Sequence, residues 1–232
     1  MQKSGPIVLA FQWPGGGTPD LPPQLEPVRA QLSGWVLHAG HGWLIAAKDA
    51  VNVAAMGDWI VASPASNLID RDGAKLLSLQ DLAAELDRIG PAVLDSLAPP
   101  FRLLAVNRRK NQVTARVDRC GLGHLFEASH GPCHVISSSV QFVAEFTEAG
   151  PDIAALLDYS QLGVFPFAAT PYVGIRKLLP DDPWGTNYAA TGSGRPLKAL
   201  QDDIEAHFRA AVQALLAAAP QAALELSGGL DS

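Results

Sequence analysis

The sequence predicts an α+β protein in which layered antiparallel sheets have helices outside them. The first 150 residues contain eight short apolar runs divided by Gly, Pro and Asn, and only two helix-like segments interrupt these runs. Many short strands with few helices are typical of layered antiparallel sheets. The length of 232 residues is enough for one large or two small domains.

The predicted strands are short and mostly apolar. In chain order they are PIVLAF, GWVLHA, GWLIAA, DWIVAS, FRLLAV, QVTARV, HLFEA and CHVISSS. The basic stretch Asn107–Lys110 (NRRK) lies between the fifth and sixth strands, so we expect it to form a hairpin turn. Gly15–Pro27 has the composition of a loop.

Four segments have the pattern of helices. The first, SLQDLAAELDRIG, has Ser78 as N-cap and Gly90 as its stop, and SVQFVAEF and DIAALLDYSQLG follow later in the chain. The last helix ends at Pro220 and has one apolar stripe, formed by Leu200, Ile204, Phe208, Val212 and Leu215. AALEL then has the pattern of a short buried strand. A Pro- and Gly-rich connector precedes this last helix, so we place domain boundaries to give residues 1–150, 151–199 and 200–232.

The composition argues against several functional classes. The formal net charge is −6 and NRRK is the single basic cluster, which disfavours nucleic-acid binding. The two cysteines, Cys120 and Cys133, form no CxxC motif and have no known zinc spacing. No run of about 20 apolar residues is present to span a membrane. We therefore expect a cytoplasmic protein without nucleic-acid or membrane partners.

The segment Ala223–Ser232 (ALELSGGLDS) has the chemistry of an anion-binding loop. A strand leads into paired glycines, whose backbone N–H groups can turn inward without a Cβ clash. The hydroxyls of Ser227 and Ser232 and the carboxylate of Asp231 add oxygen ligands suited to Mg²⁺ beside phosphate. The loop has no lysine and lacks the Walker pattern. By composition alone, a polar tail beyond a strand is an equal alternative.

The S-G-G-x-D-S motif after a hydrophobic strand resembles the pyrophosphate loop of the ATP pyrophosphatases, specifically of the asparagine synthetase superfamily. Three earlier segments resemble parts of that family in the same order. They are VDRCGLGHLFEASHGPCHVISSSVQFVAE, GVFPFAATPYVGIRKLLPDDPW and IEAHFRAAVQALLAA. The first resembles an Arg-Asp-x-x-Gly stretch, and the second a connector with a Gly-Ile-x-x-Leu-x-Pro core. The likeness is collinear over nearly the whole chain.

The resemblance implies a fold, two cofactors and a set of site residues. Residues 1–150 would form an Ntn-hydrolase-like αββα sandwich, a degenerate type 2 glutamine amidotransferase domain. Residues 200–232 would begin an α/β ATP-pyrophosphatase domain. ATP and Mg²⁺ would be the cofactors, with Asp231 as a Mg²⁺ ligand. The ATP-binding residues would be Leu226, Ser227, Gly228, Gly229, Leu230, Asp231 and Ser232. Because the remaining family site residues follow this loop, the resemblance predicts a truncated amino-terminal piece.

The amino terminus departs from the glutamine-using members of the family. Those members begin Met-Cys, and the cysteine attacks glutamine, whereas Gln2 stands at this position here. The family's oxyanion-hole sequence Asn-Gly-Glu matches Met56-Gly57-Asp58, which removes a side-chain donor. No arginine lies between Ala30 and Ile69 to hold the glutamine carboxylate. We therefore expect no catalytic residues in this domain, which would serve as a scaffold.

Without glutaminase chemistry, the amine must come from another source. Lasso-peptide macrolactam cyclases join a side-chain carboxylate of a precursor peptide to the peptide's own amine, and β-lactam synthetases close a small β-amino acid on itself. Gln2 and the terminal motif favour the cyclases, with a precursor peptide as substrate and a peptidase of the same pathway as a further partner. The alternatives are a β-lactam synthetase-type enzyme or glutamine-hydrolysing asparagine synthase, a small amino-acid substrate, and an inactive scaffold or peptide-binding module.

Overall fold

The computed structural model describes residues 7–14, 25, 28, 31–65, 67–70, 75–180 and 197–218. These residues form thirteen strands and four α-helices. The strands are β1 (Val8–Gln12), β2 (Val36–Gly40), β3 (Trp43–Ala47), β4 (Val53–Met56), β5 (Trp59–Ala62), β6 (Asn67–Asp70), β7 (Lys75–Ser78), β8 (Leu97–Ala98), β9 (Arg102–Asn107), β10 (Gln112–Val117), β11 (Phe126–His130), β12 (Cys133–Ser137) and β13 (Arg176–Lys177). The helices are α1 (Leu79–Ile89), α2 (Val140–Thr147), α3 (Ile153–Leu162) and α4 (Leu197–Ala218).

The strands form three sheets in which all neighbouring strands are antiparallel. The first sheet has six strands in the order β13-β11-β12-β1-β3-β2, the second has the order β10-β9-β5-β4, and the third has the order β7-β6-β8. In the first sheet β1 lies between β3 and β12, and Leu9 is opposite both Ala46 and Ser137. The class predicted from the sequence, α+β with antiparallel sheets, is confirmed.

The first two sheets face each other across one apolar core. Every second residue of β1 contributes to it, because successive side chains of a strand point to opposite faces. Val8 and Ala10 therefore pack with residues of the second sheet such as Ile60 and Leu104. The alternate residues of β1, Leu9 and Phe11, belong to a separate cluster on the other face of the first sheet. Burial on both faces explains why β1 has a continuous apolar sequence.

A helix covers the outer face of each of these two sheets. Phe142 and Phe146 of α2 contact the ring of Phe11 edge-on, with centroid distances of 6.4 and 5.0 Å. On the second sheet, Leu82 and Leu86 of α1 pack in a cluster with residues of β5 and β9. The described residues thus stack as helix, sheet, sheet and helix.

The boundaries of α1 follow the N-cap and the stop residue predicted from the sequence, and α3 has caps of the same kind. Ser78 and Asp81 form a reciprocal capping box at the start of α1, and Gly90 ends that helix. Asp152 caps α3, and Gly163 ends it in the left-handed conformation. The four predicted helices and the NRRK turn between β9 and β10 are confirmed.

Five short strands have no counterpart in the sequence prediction: β4, β6, β7, β8 and β13. The last of them, within the predicted connector, adds an edge to the first sheet by pairing with β11. The predicted strand AALEL lies outside the described residues. None of the helices in the described ranges has the length and apolarity needed to cross a bilayer.

Candidate functional site

The residues predicted to bind ATP and Mg²⁺ lie outside the described part of the chain. This applies to the loop Leu226–Ser232, including the predicted metal ligand Asp231, and to Gln2 at the other end. Their assigned roles stay predictions. The structure does place the other predicted feature, the Met56–Asp58 segment.

Met56-Gly57-Asp58 forms a braced turn between β4 and β5. The N–H of Asp58 donates to Oδ1 of Asp87 at 2.8 Å, and the guanidinium of Arg108 donates to the carbonyl of Gly57. Gly57 has a φ of +52°, and a Cβ at this position would collide with the carboxylate of Asp87. The bracing therefore explains why a glycine occupies this turn.

The carboxylate of Asp118 organises the loop that follows β10. Asp118 is fully buried. Its Oδ1 accepts hydrogen bonds from the N–H groups of Cys120 at 2.9 Å and Leu122 at 3.1 Å. Its Oδ2 accepts from Gly123 at 2.5 Å and from Phe101 at 3.3 Å. Four backbone donors thus converge on one side chain, which fixes the loop against the start of β9.

A pocket of about 330 Å³ opens beside this loop, where β5 ends and β9 begins. Its walls are mainly apolar, and Arg102 is the one charged residue among the described residues that line it. The lining residues are Pro64, Ala65, Pro100, Phe101, Arg102, Leu122 and Gly123. The Met56–Asp58 turn precedes β5 and the pocket follows it, so the structure places the two at opposite ends of that strand.

Arg102 is half-buried at this pocket and is without a salt bridge. Within the described ranges, its guanidinium has neither a hydrogen-bond nor an ion-pair partner. Burial lowers the pKa of the Arg102 guanidinium from its ordinary value. The charge is therefore partly removed from water without compensation, a cost that an anionic ligand would offset.

Two further basic residues lie near the pocket. His124 follows the pocket residue Gly123, and Lys177 lies on β13, whose register places it opposite Phe126. Burial, followed by the charge of Lys177, lowers the pKa of the His124 imidazole, and Arg102 acts in the same direction. His124 is therefore mainly neutral near pH 7, and the positive charges of Arg102 and Lys177 lie close enough to act on it.

A second polar cluster lies on β11, β12 and β13. Glu127 is almost fully buried. Its Oε2 lies 2.8 Å from Nε2 of His134, and its Oε1 forms an ion pair with Arg176. The other ring nitrogen of His134 lies 3.1 Å from Oγ of Ser129. This network ties the edge strand β13 to the first sheet. Its serine, histidine and carboxylate resemble a hydrolytic triad in composition.

The two cysteines lie in different environments. Cys120 is exposed in the loop after β10, whereas Cys133 is buried in β12. Burial raises the pKa of the Cys133 thiol. In the part of the chain that the structure describes, no three His, Cys, Asp or Glu residues come together as a metal site.

No protein-family model matches the sequence, and no curated protein is significantly similar to it. The functional interpretation therefore depends on the residues themselves.

Sequence reasoning did not identify the Arg102 pocket, because Arg102 lies inside the ordinary strand pattern FRLLAV. The available signal was a charged residue next to Phe101 at the start of a strand that is otherwise buried.

Proposed function

We propose that this chain belongs to the asparagine synthetase superfamily and acts in a cytoplasmic, ATP- and Mg²⁺-dependent ligase. This ligase closes a macrolactam ring in a precursor peptide. The observation that carries the proposal is the sequence S-G-G-L-D-S at Ser227–Ser232, directly after a strand-like apolar segment. The three resembling segments that precede it in the family's order support the same assignment.

The described fold supports an Ntn-like origin for the first 150 residues. Two antiparallel sheets packed face to face, with helices outside them, are what such a domain requires. Asp118 occupies the aspartate position of the Arg-Asp-x-x-Gly stretch, and Gly121 occupies its glycine position. The four N–H groups that converge on Asp118 give a physical reason for an aspartate there. Gly121, with a φ of +68°, suits a position that favours glycine.

The donor set of the terminal loop fits Mg²⁺ and pyrophosphate. Asp231 offers a carboxylate, which Mg²⁺ prefers as a ligand, and Ser227 and Ser232 offer hydroxyl groups. Gly228 and Gly229 leave backbone N–H groups free to approach phosphate oxygens. ATP supplies the activation that turns a carboxylate into an acylating agent for an amine. The loop would hold the departing pyrophosphate and stabilise its charge in the transition state.

The source of the amine follows from the amino terminus. Glutamine-using relatives need a cysteine nucleophile with a free α-amine, and this chain has Gln2 instead. Its cysteines, Cys120 and Cys133, lie within the chain. We therefore predict that the purified protein releases no ammonia from glutamine above a blank. Glutamine turnover that survives substitution of both cysteines would contradict this part of the proposal.

Product analysis tests the ligase assignment. The protein is incubated with ATP, Mg²⁺ and a candidate precursor peptide, and the products are analysed by mass spectrometry. Loss of one water from the peptide together with AMP is the expected result. ADP formation would exclude the mechanism, and asparagine made from aspartate and ammonia without a peptide product would indicate an asparagine synthetase.

A peptide-binding module is the second candidate, because the described surface exposes apolar side chains on and after α3. Ile153, Leu157 and Leu162 are more than half exposed, and Phe167 is 85% exposed. Exposed apolar patches of this kind often mark interaction sites. Binding of the precursor peptide without ATP consumption or product would favour this candidate.

A further inference from the structure

The pocket at Arg102 combines a partly buried charge with apolar walls. The guanidinium has no hydrogen-bond or ion-pair partner within the described ranges. Phe101 and Pro100, beside it, form part of the apolar wall of the pocket. An unpaired guanidinium shielded from water is costly unless a ligand completes it. Because pockets for small molecules typically pair apolar walls with one or two fixed polar groups, this arrangement suits an anionic ligand with an apolar body.

The charges around the pocket favour an anion. Lys177 is close enough for its charge to act on His124, as is Arg102. Asp118 is a nearby negative charge, but four backbone N–H groups already occupy its two oxygens. These oxygens are therefore engaged by the loop, and the Arg102 guanidinium at the pocket has no ion-pair partner within the described ranges.

The hydrogen-bond pattern distinguishes between kinds of anion. Phosphate sites usually use several backbone N–H groups of a loop. In this loop the N–H groups of Cys120, Leu122 and Gly123 all donate to Asp118 and are unavailable to a ligand. Among the described lining residues, the side-chain donor that remains is the planar fork of Arg102, whose geometry matches the two oxygens of a carboxylate.

We propose that the Arg102 pocket binds a small organic carboxylate, with the carboxylate on the guanidinium and an apolar body against Pro100 and Leu122. Leu122 is 62% exposed at the rim, where an apolar ligand would cover it. The volume of about 330 Å³ lies at the lower end of the range for small-molecule pockets, so a compact ligand fits best. None of the described residues that line this site is among those assigned to the proposed ligase chemistry.

The probe for the test is benzoate, with benzamide as the neutral analogue and inorganic phosphate as the alternative anion. Binding is followed by NMR through the imidazole signals of His124 and the methyl signals of Leu122. We expect saturable binding of benzoate in the millimolar range or tighter, and a rise in the pKa of His124 when the carboxylate binds, since a nearby negative charge favours the imidazolium. Benzamide and phosphate should bind at least about tenfold more weakly, because charge and planar geometry are both needed.

The decisive variants are Arg102→Gln and Arg102→Lys. The glutamine variant should lose about tenfold or more in benzoate affinity, and the lysine variant an intermediate amount, because lysine keeps the charge but not the fork. Arg109→Gln, which removes an exposed charge beyond the other end of β9, is the matched control and should bind benzoate normally. Since Arg102 has no hydrogen-bond or ion-pair partner to lose within the described ranges, its substitution should leave the urea midpoint unchanged or raised, which separates lost binding from unfolding.

Four outcomes would overturn the proposal. The first is no saturable binding at about 20 mM benzoate, where a millimolar site would be nearly full. The second is equal binding of benzamide, which would show an apolar cavity without a role for charge. The third is tighter binding of phosphate than of benzoate. The fourth is benzoate binding that persists in Arg102→Gln. None of these results depends on ATP or on ligase activity.

Discussion

Replacing Asp118 by asparagine tests whether its carboxylate holds the loop beside the pocket. The side-chain amide keeps one oxygen, so it can accept from only one of the two pairs of backbone donors. If that oxygen serves the buried N–H groups of Phe101 and Gly123, the amide NH₂ faces the N–H groups of Cys120 and Leu122. In either orientation two donors lose their acceptor. At about 1–3 kcal/mol for each unsatisfied group, the expected loss in the free energy of unfolding is about 2–6 kcal/mol.

Urea denaturation followed by tryptophan fluorescence measures this loss. The Asp118→Asn midpoint should fall while the slope m stays constant, because the surface exposed on unfolding is unchanged. Asp158→Asn is the control: this carboxylate is exposed on α3, and its loss should cost less than about 0.5 kcal/mol. A change for Asp118→Asn as small as that of the control would refute the role assigned to the carboxylate.

Three further predictions concern stability and reactivity. Gly123→Ala should destabilise the fold by about 1–3 kcal/mol in the same urea assay, because its Cβ would collide with an opposing backbone carbonyl; a neutral effect would contradict the close approach. Stability should fall as the pH drops below about 6.5, since the folded-state pKa values of His124 and His38 are lowered and the unfolded chain then binds more protons. His124→Gln should reduce this pH dependence, and an unchanged slope would exclude His124 as a contributor. Cys120 should react with a thiol reagent in the folded protein and Cys133 only after unfolding, as mass mapping of the labelled peptides would show; early labelling of Cys133 would contradict its burial.

Much of the secondary structure could be predicted because its signals are local. The capping box at Ser78 and the stop at Gly90 fix α1, and apolar runs bounded by turn residues mark the longer strands. The short strands were missed since two to four residues carry too little pattern. Strand β13, for example, exists only because Arg176 and Lys177 pair with β11, about fifty residues earlier in the chain.

The candidate sites also differ in how much of their chemistry lies in one local stretch of sequence. The terminal loop was recognisable because its chemistry lies in six consecutive residues. The Arg102 pocket combines residues from three separate segments, and nothing near Arg102 in the sequence shows that its charge lacks a partner. Asp118 lies in a stretch that resembles the family, but its four donors come together only when the loop folds back on β9.

ATP–pyrophosphate exchange by the protein is the most direct test of the central proposal, that the terminal loop serves carboxylate activation. Labelled pyrophosphate should enter ATP only when Mg²⁺ and the carboxylate substrate are both present. Asp231→Ala should reduce the exchange rate by about 10²-fold or more, the usual size of such an electrostatic contribution, while Asp158→Asn should leave it unchanged. Release of ADP without exchange, or full exchange in Asp231→Ala, would contradict the claim.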